Sequence, residues 1–115
     1  MDGPAVTDST FSSGFIFPEE FIGFQGHFPS KKVLPGACQI QCVVSTIEKG
    51  MGRRVALKEI MLAKYTAPIF PGDNIVCTVS GDQGAGGEIV YKARVTKGAE
   101  KVTDMKLRVL LRDKI

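Results

Sequence analysis

Tryptophan is absent, histidine occurs once, and no apolar stretch approaches the roughly 20 residues that a membrane-spanning helix needs. Basic runs interleaved with aromatics are also lacking, and a net charge of +3 is too weak to suggest nucleic acid as a partner. Cysteine is scarce and odd in number, at three. That fits reduced thiols in a cytoplasmic setting better than a disulfide framework. Zinc takes four donors, and Cys38 and Cys42 have one imidazole in the whole chain to join them, so no metal site is expected. The two thiols read instead as small buried hydrophobes. The opening MDGPAVTDSTFSSG has neither a basic n-region nor an apolar h-region, so it does not read as a signal peptide. Residues 1–12 are expected to be a frayed polar leader.

At 115 residues the chain has the length of one small domain, residues 1–115, with room for a single core. Gly36–Lys49 (GACQIQCVVSTIEK) is the helix candidate, free of proline and internal glycine and followed by Gly50 and Gly52 as stop signals. Ala37, Cys38, Ile40, Cys42, Val43, Val44 and Ile47 fall on most of its sides, which predicts a helix buried nearly all round. Gln41, Ser45 and Glu48 share the one polar stripe. A short aromatic strand is expected from Phe15, broken by Pro18. After the helix the pattern turns to strands at Ala56–Thr66, Ile75–Ser80, Glu88–Lys97 and Lys101–Arg112. Ala67–Asp73 is a turn, and Gly81–Gly87 a hairpin loop. GAGG in that loop lies between two strands, so it is not a nucleotide-binding loop, and no cofactor is implied. Short connections favour antiparallel pairing, giving an α+β domain with one helix against a sheet of about five strands.

The segment QGHFPSKKVLPG holds the single histidine, His27, on a turn just ahead of the helix. Imidazole is the side chain suited to proton transfer near neutral pH, and a helix N-terminus favours developing negative charge. Together they suit acid–base chemistry on a carbonyl compound. GHFPSKKVLPG resembles the signature of the bacterial 3-hydroxyacyl-acyl-carrier-protein dehydratases, and AKYTAPIFPGD (residues 63–73) resembles their strand and Pro-Gly-Asp turn. The resemblance implies a hot-dog fold, an antiparallel sheet wrapped around one central helix. It implies the conversion of a 3-hydroxyacyl thioester to a trans-2-enoyl thioester in fatty acid biosynthesis, a part of lipid metabolism. His27 takes the place of the catalytic histidine, Gly36 that of the glycine whose N–H polarises the thioester carbonyl, and Phe28, Pro29, Leu34 and Pro35 lie in the substrate-binding loop.

The family's second catalytic group is a Glu or Asp fourteen residues after the histidine, and here that position is Gln41. An amide orients a hydroxyl or a water but gives up no proton, and losing a positioned general acid costs about 10²–10⁴-fold. Three remedies follow: His27 performs both transfers, Glu48 reaches the site from the same stripe, or a partner chain brings the carboxylate. The family places its site at a dimer interface, which implies a homodimer, or a heterodimer with a carboxylate-bearing hot-dog chain. The substrate carrier is acyl carrier protein or coenzyme A, and Lys31, Lys32, Arg53, Arg54, Lys58 and Lys64 suit such an acidic partner. Neither nucleic acid nor a membrane is expected. A non-catalytic acyl-thioester binding subunit and a hot-dog acyl thioesterase are the alternatives. Lys32 and Ser30 stand where the family has proline and glycine, marking a short, divergent branch.

Overall fold

In the computed structural model, residues 9–20, 33–83 and 88–114 are described. Five strands and one helix run in the order β1 (Ser9–Phe15), α1 (Gly36–Met51), β2 (Arg53–Tyr65), β3 (Ile75–Gln83), β4 (Glu88–Lys97) and β5 (Glu100–Lys114). The strands form one antiparallel sheet in the order β1-β3-β4-β5-β2, with α1 on one face. Alternation explains that arrangement. Ile75, Cys77 and Val79 of β3, Ile89, Tyr91, Ala93 and Val95 of β4, and Met105, Leu107 and Val109 of β5 all bury the same side. Val43 and Ile47 of the helix close the core against them.

The first strand lies ahead of its expected place: β1 ends at Phe15, where the aromatic strand was expected to start, and residues 16–20 form no strand. Residues 9–12 are not leader but paired β1, because Thr10 and Ser12 answer the hydroxyls of Ser80 and Thr78 across the sheet while Phe11 turns toward the core. Hydroxyl-rich sequence disguised a strand whose polar face is matched by its neighbour. The helix is covered most fully on one face, and Cys38, Ile40 and Val44 beside that face also pack partly against the core. Gln39, Cys42, Val43, Thr46 and Ile47 are covered, whereas Ala37, Gln41 and Lys49 are exposed. The buried Thr46 satisfies its hydroxyl by donating to the Cys42 carbonyl at 2.8 Å. Gly52 ends the helix in the left-handed conformation (φ 67°), its N–H bonded to the Glu48 carbonyl.

The β2–β5 register is interrupted three times: once between Arg53 and Val55, where the extra residue falls on β5, and twice further along, where it falls on β2. Pairing passes from Leu57↔Val109 to Glu59↔Arg108 and from Ile60↔Leu107 to Leu62↔Lys106, leaving Lys58 and Met61 as extra residues on β2. Val55, Leu57, Ile60, Ala63 and Tyr65 thereby stay opposite the inward-facing residues of β5. β2 is an edge strand, and Leu57, Ile60, Met61, Leu62 and Tyr65 are exposed along it. No helix among the described residues is long and apolar enough to cross a membrane. The expected hairpin between β3 and β4 is supported by pairing up to Gln83↔Ile89, so Gly81 belongs to β3 and not to the loop, and residues 84–87 (GAGG) lie outside the described residues.

Candidate active site

The helix opens without help. Pro35 occupies the N-cap position in an extended conformation, makes no side-chain cap, and no acidic residue stands in the first turn. The Pro35 carbonyl accepts the amides of Cys38 and Gln39 at 3.1 and 3.2 Å. The amides of Gly36 and Ala37 have no hydrogen-bond partner among the described residues. They sit at the positive end of the helix dipole. A cleft of about 450 Å³ lies at this end, lined by Val33, Leu34, Pro35, Gly36, Gln39, Tyr65, Thr66, Ala67 and Pro68.

Its far wall is made by the second sequence motif. The Asp73 carboxylate accepts the Phe70 N–H at 2.8 Å and the Lys97 ammonium at 3.1 Å, and Gly72 turns the chain at φ 83°. The Phe70 bond, reinforced by Lys97, holds the Asp73 carboxyl below its ordinary range. Gly72 donates to the Phe17 carbonyl, and Leu34 donates to the Ile69 carbonyl at 2.8 Å. Pro-Gly-Asp is therefore an anchor: it fixes the strap 33–35 from which the helix starts.

Within the cleft one polar side chain is almost wholly buried. Gln39 is 3% exposed, accepts the Thr103 hydroxyl at 2.5 Å and directs its amide nitrogen to the Leu34 carbonyl at 3.5 Å. It thus joins α1, β5 and the strap. Tyr65, at the end of β2, packs the tip of its ring on Gly36: a Cβ built there would stand 2.6 Å from Oη. Burial pushes the Tyr65 phenol above its ordinary pKa, so it stays protonated.

The sequence-named residues divide into three groups. Gly36, Leu34 and Pro35 meet in the cleft. Gln41 is exposed on α1 and is not among the residues lining it. His27, Phe28 and Pro29 lie outside the described residues. Glu48 is engaged elsewhere, since its Oε2 accepts the Val55 N–H at 3.0 Å and ties the helix end to β2. Gln39 was not singled out from the sequence, and Tyr65, Thr66, Ala67 and Pro68 entered only as part of the second motif, with no role of their own. The available signal for Gln39 was a polar residue four positions before Val43, on the apolar face.

Comparison with known proteins agrees with this architecture. A family model described as ApeI-like, ApeI dehydratase, matches residues 5–106. The 3-hydroxyacyl-(acyl-carrier-protein) dehydratase FabZ of Ehrlichia chaffeensis is 31% identical over 81 residues, covering 66% of this chain and 51% of that protein. FabZ of Erythrobacter litoralis is 33% identical over 99 residues, covering 78% and 63%. The chain thus spans half to two thirds of the length of these relatives. Among solved structures, a variant of the fluoroacetyl-CoA-specific thioesterase FlK superposes with a TM-score of 0.78 at 13% identity, covering 98% of this chain and 91% of its own. The dehydratase heterocomplex ApeI:P from Xenorhabdus doucetiae gives 0.71 at 18% identity, covering 95% and 92%. Likenesses at that identity establish the fold. With a family model matching most of its length, this chain belongs to the ApeI-like dehydratase family and has the hot-dog fold.

Proposed function

We propose that this chain takes part in dehydrating a 3-hydroxyacyl thioester to the trans-2-enoyl thioester, with a second hot-dog chain completing its site. The observation that carries the reading is the uncapped helix N-terminus, where Gly36, whose amide has no partner among the described residues, lines the cleft. The thioester oxygen accepts from the Gly36 N–H, so negative charge growing there meets a fixed donor and the helix dipole. His27 takes the C2 proton, the C2–H electron pair becomes the C2–C3 π bond, and the C3–O bond breaks. The departing hydroxyl needs a proton to leave as water, and the Gln41 amide supplies none. That proton comes from an acid on the partner chain, or returns from the imidazolium of His27.

The partner's place is the β2 edge, which carries unpaired backbone groups and a row of exposed apolar side chains. The likeness to the ApeI:P heterocomplex supports a mixed pair, and the partner then contributes the carboxylate that position 41 lacks. The acyl group arrives on acyl carrier protein or a pantetheine-bearing analogue.

Enoyl formation from a 3-hydroxyacyl-pantetheine tests the reading. Turnover falls by about 10²-fold or more in His27→Ala, and rises in Gln41→Glu or on adding a carboxylate-bearing hot-dog partner. A strictly monomeric species in light scattering contradicts the shared site. Release of free thiol without enoyl product turns the reading to a thioesterase. Acyl binding with no turnover by the native chain, the Gln41→Glu variant or the mixed pair turns it to a binding subunit.

A further inference from the structure

Gly36 is a glycine for a reason of space, not of backbone conformation. It is absent from the glycines with positive φ, which are Gly52, Gly72 and Gly98 among the described residues. A Cβ there would stand 2.6 Å from the Tyr65 Oη, 2.7 Å from Cζ and 3.2 Å from Cε2. The missing side chain lets a phenol reach the first turn of the helix, beside the amide that meets the thioester oxygen in the function proposed above. The Tyr65 hydroxyl has no hydrogen-bond partner among the described residues, and both it and Gly36 line the same cleft. No other described side chain there is so placed. The Gln39 carbonyl oxygen is occupied by Thr103 and its nitrogen faces the Leu34 carbonyl, while Gln41 stands outside the cleft.

We propose that Tyr65 is a catalytic residue, its phenol O–H donating to the thioester oxygen alongside the Gly36 N–H. The inference rests on the dehydratase reading. No proton leaves the phenol: it strengthens one hydrogen bond as the C2–H pair delocalises onto the thioester oxygen, and relaxes as the C2–C3 double bond forms. A phenol is neutral near pH 7, which is the state that donates, and partial burial raises its pKa further. Donors fixed before the reaction, where charge develops, act with little reorganisation. A stronger oxyanion site also eases the chemistry of a chain without its own carboxylate, since more charge can build on oxygen before the hydroxyl departs.

Tyr65→Phe keeps the ring against Gly36 and removes only the donor. With the native chain and its partner acting on 3-hydroxyacyl-pantetheine, kcat is expected to fall by about 10²–10³-fold with KM changed less than about threefold. A second readout needs no turnover. The infrared band of a carbon-13-labelled thioester carbonyl in a bound saturated acyl-pantetheine lies below its frequency in water for the native protein, and moves back toward it in Tyr65→Phe. Unchanged kcat in the variant, a KM effect alone, or a carbonyl band that ignores the substitution each overturns the proposal. If the native protein shows no dehydration yet the band shifts and recovers as described, the Tyr65 contact stands and the dehydratase reading fails by itself. Failure of any acyl-pantetheine to bind overturns both.

Discussion

Thr103→Val is the sharpest test of how the cleft is held. Thr103 is fully buried and its hydroxyl donates to the side-chain oxygen of Gln39, itself 3% exposed, at 2.5 Å. Valine keeps the shape of threonine and removes the donor. The lost bond is worth about 1 kcal/mol net, and leaving the Gln39 oxygen buried without a donor costs about 1–3 kcal/mol more. The extra methyl returns somewhat under 1 kcal/mol of apolar burial. Thr103→Val is therefore expected to lower the unfolding free energy by about 1–3 kcal/mol, measured by urea denaturation followed by circular dichroism. The partner substitution Gln39→Leu sharpens the test, because exchanging both members for apolar groups removes the stranded acceptor along with its donor. The double variant should regain about 1–2 kcal/mol relative to the sum of the single losses. Losses that simply add, or a Thr103→Val loss below about 0.5 kcal/mol, would refute the account of Gln39 and Thr103 as one buried unit.

Other consequences are equally open to measurement. Tyr91 is fully buried with a hydroxyl that has no partner among the described residues, so Tyr91→Phe should raise stability by about 1–2 kcal/mol, and a lower urea midpoint speaks against it. Gly36→Ala gains helix propensity of about 1 kcal/mol but drives the Tyr65 ring off the helix end. It should leave Tm within a few degrees of native (about 4 °C) while lowering kcat as Tyr65→Phe does, and undiminished turnover contradicts the shared geometry. The Asp73 carboxyl is held low by the Phe70 N–H and then by Lys97, so its folded-state pKa lies below the unfolded value of about 3.9. Its stabilisation is complete above that value and is lost as pH falls through the folded one. Asp73→Asn should accordingly flatten the acid side of a Tm–pH curve, and an unchanged acid limb defeats the assignment.

Periodicity made most of the architecture legible. Glu88–Lys97 alternates cleanly and was bounded to the residue, and Gly36 with Gly52 frames the helix through its two end signals. β1 was missed because its strand character lies in hydroxyls whose partners, Thr78 and Ser80, are some seventy residues away. The exposure of Ala37 was likewise hidden, because an apolar side chain in the first turn reads the same in sequence whether or not the core reaches it. Motif resemblance reached Gly36, Leu34 and Pro35, took in Tyr65 without giving it a role, and passed over Gln39. Their significance depends on register: Tyr65 stands opposite Thr103, and Thr103 beneath Gln39, only once β2 and β5 are aligned. The Pro-Gly-Asp turn was visible as a motif, whereas its work as an anchor appears only when Leu34 is seen bonded to Ile69.

The two extra residues of β2 constrain how this chain can change length. Side chains along a strand alternate, so removing one residue turns everything beyond it to the opposite face. Lys58 and Met61 are the exceptions, because neither is matched by a residue of β5. Deleting Met61 leaves Ile60 opposite Leu107, Leu62 opposite Lys106 and Ala63 opposite Met105, with Tyr65 still on its side of the sheet. In descendants of this sequence, single-residue deletions in β2 should therefore survive at these two positions, where a bulge is lost and the facing kept, and be costly away from them.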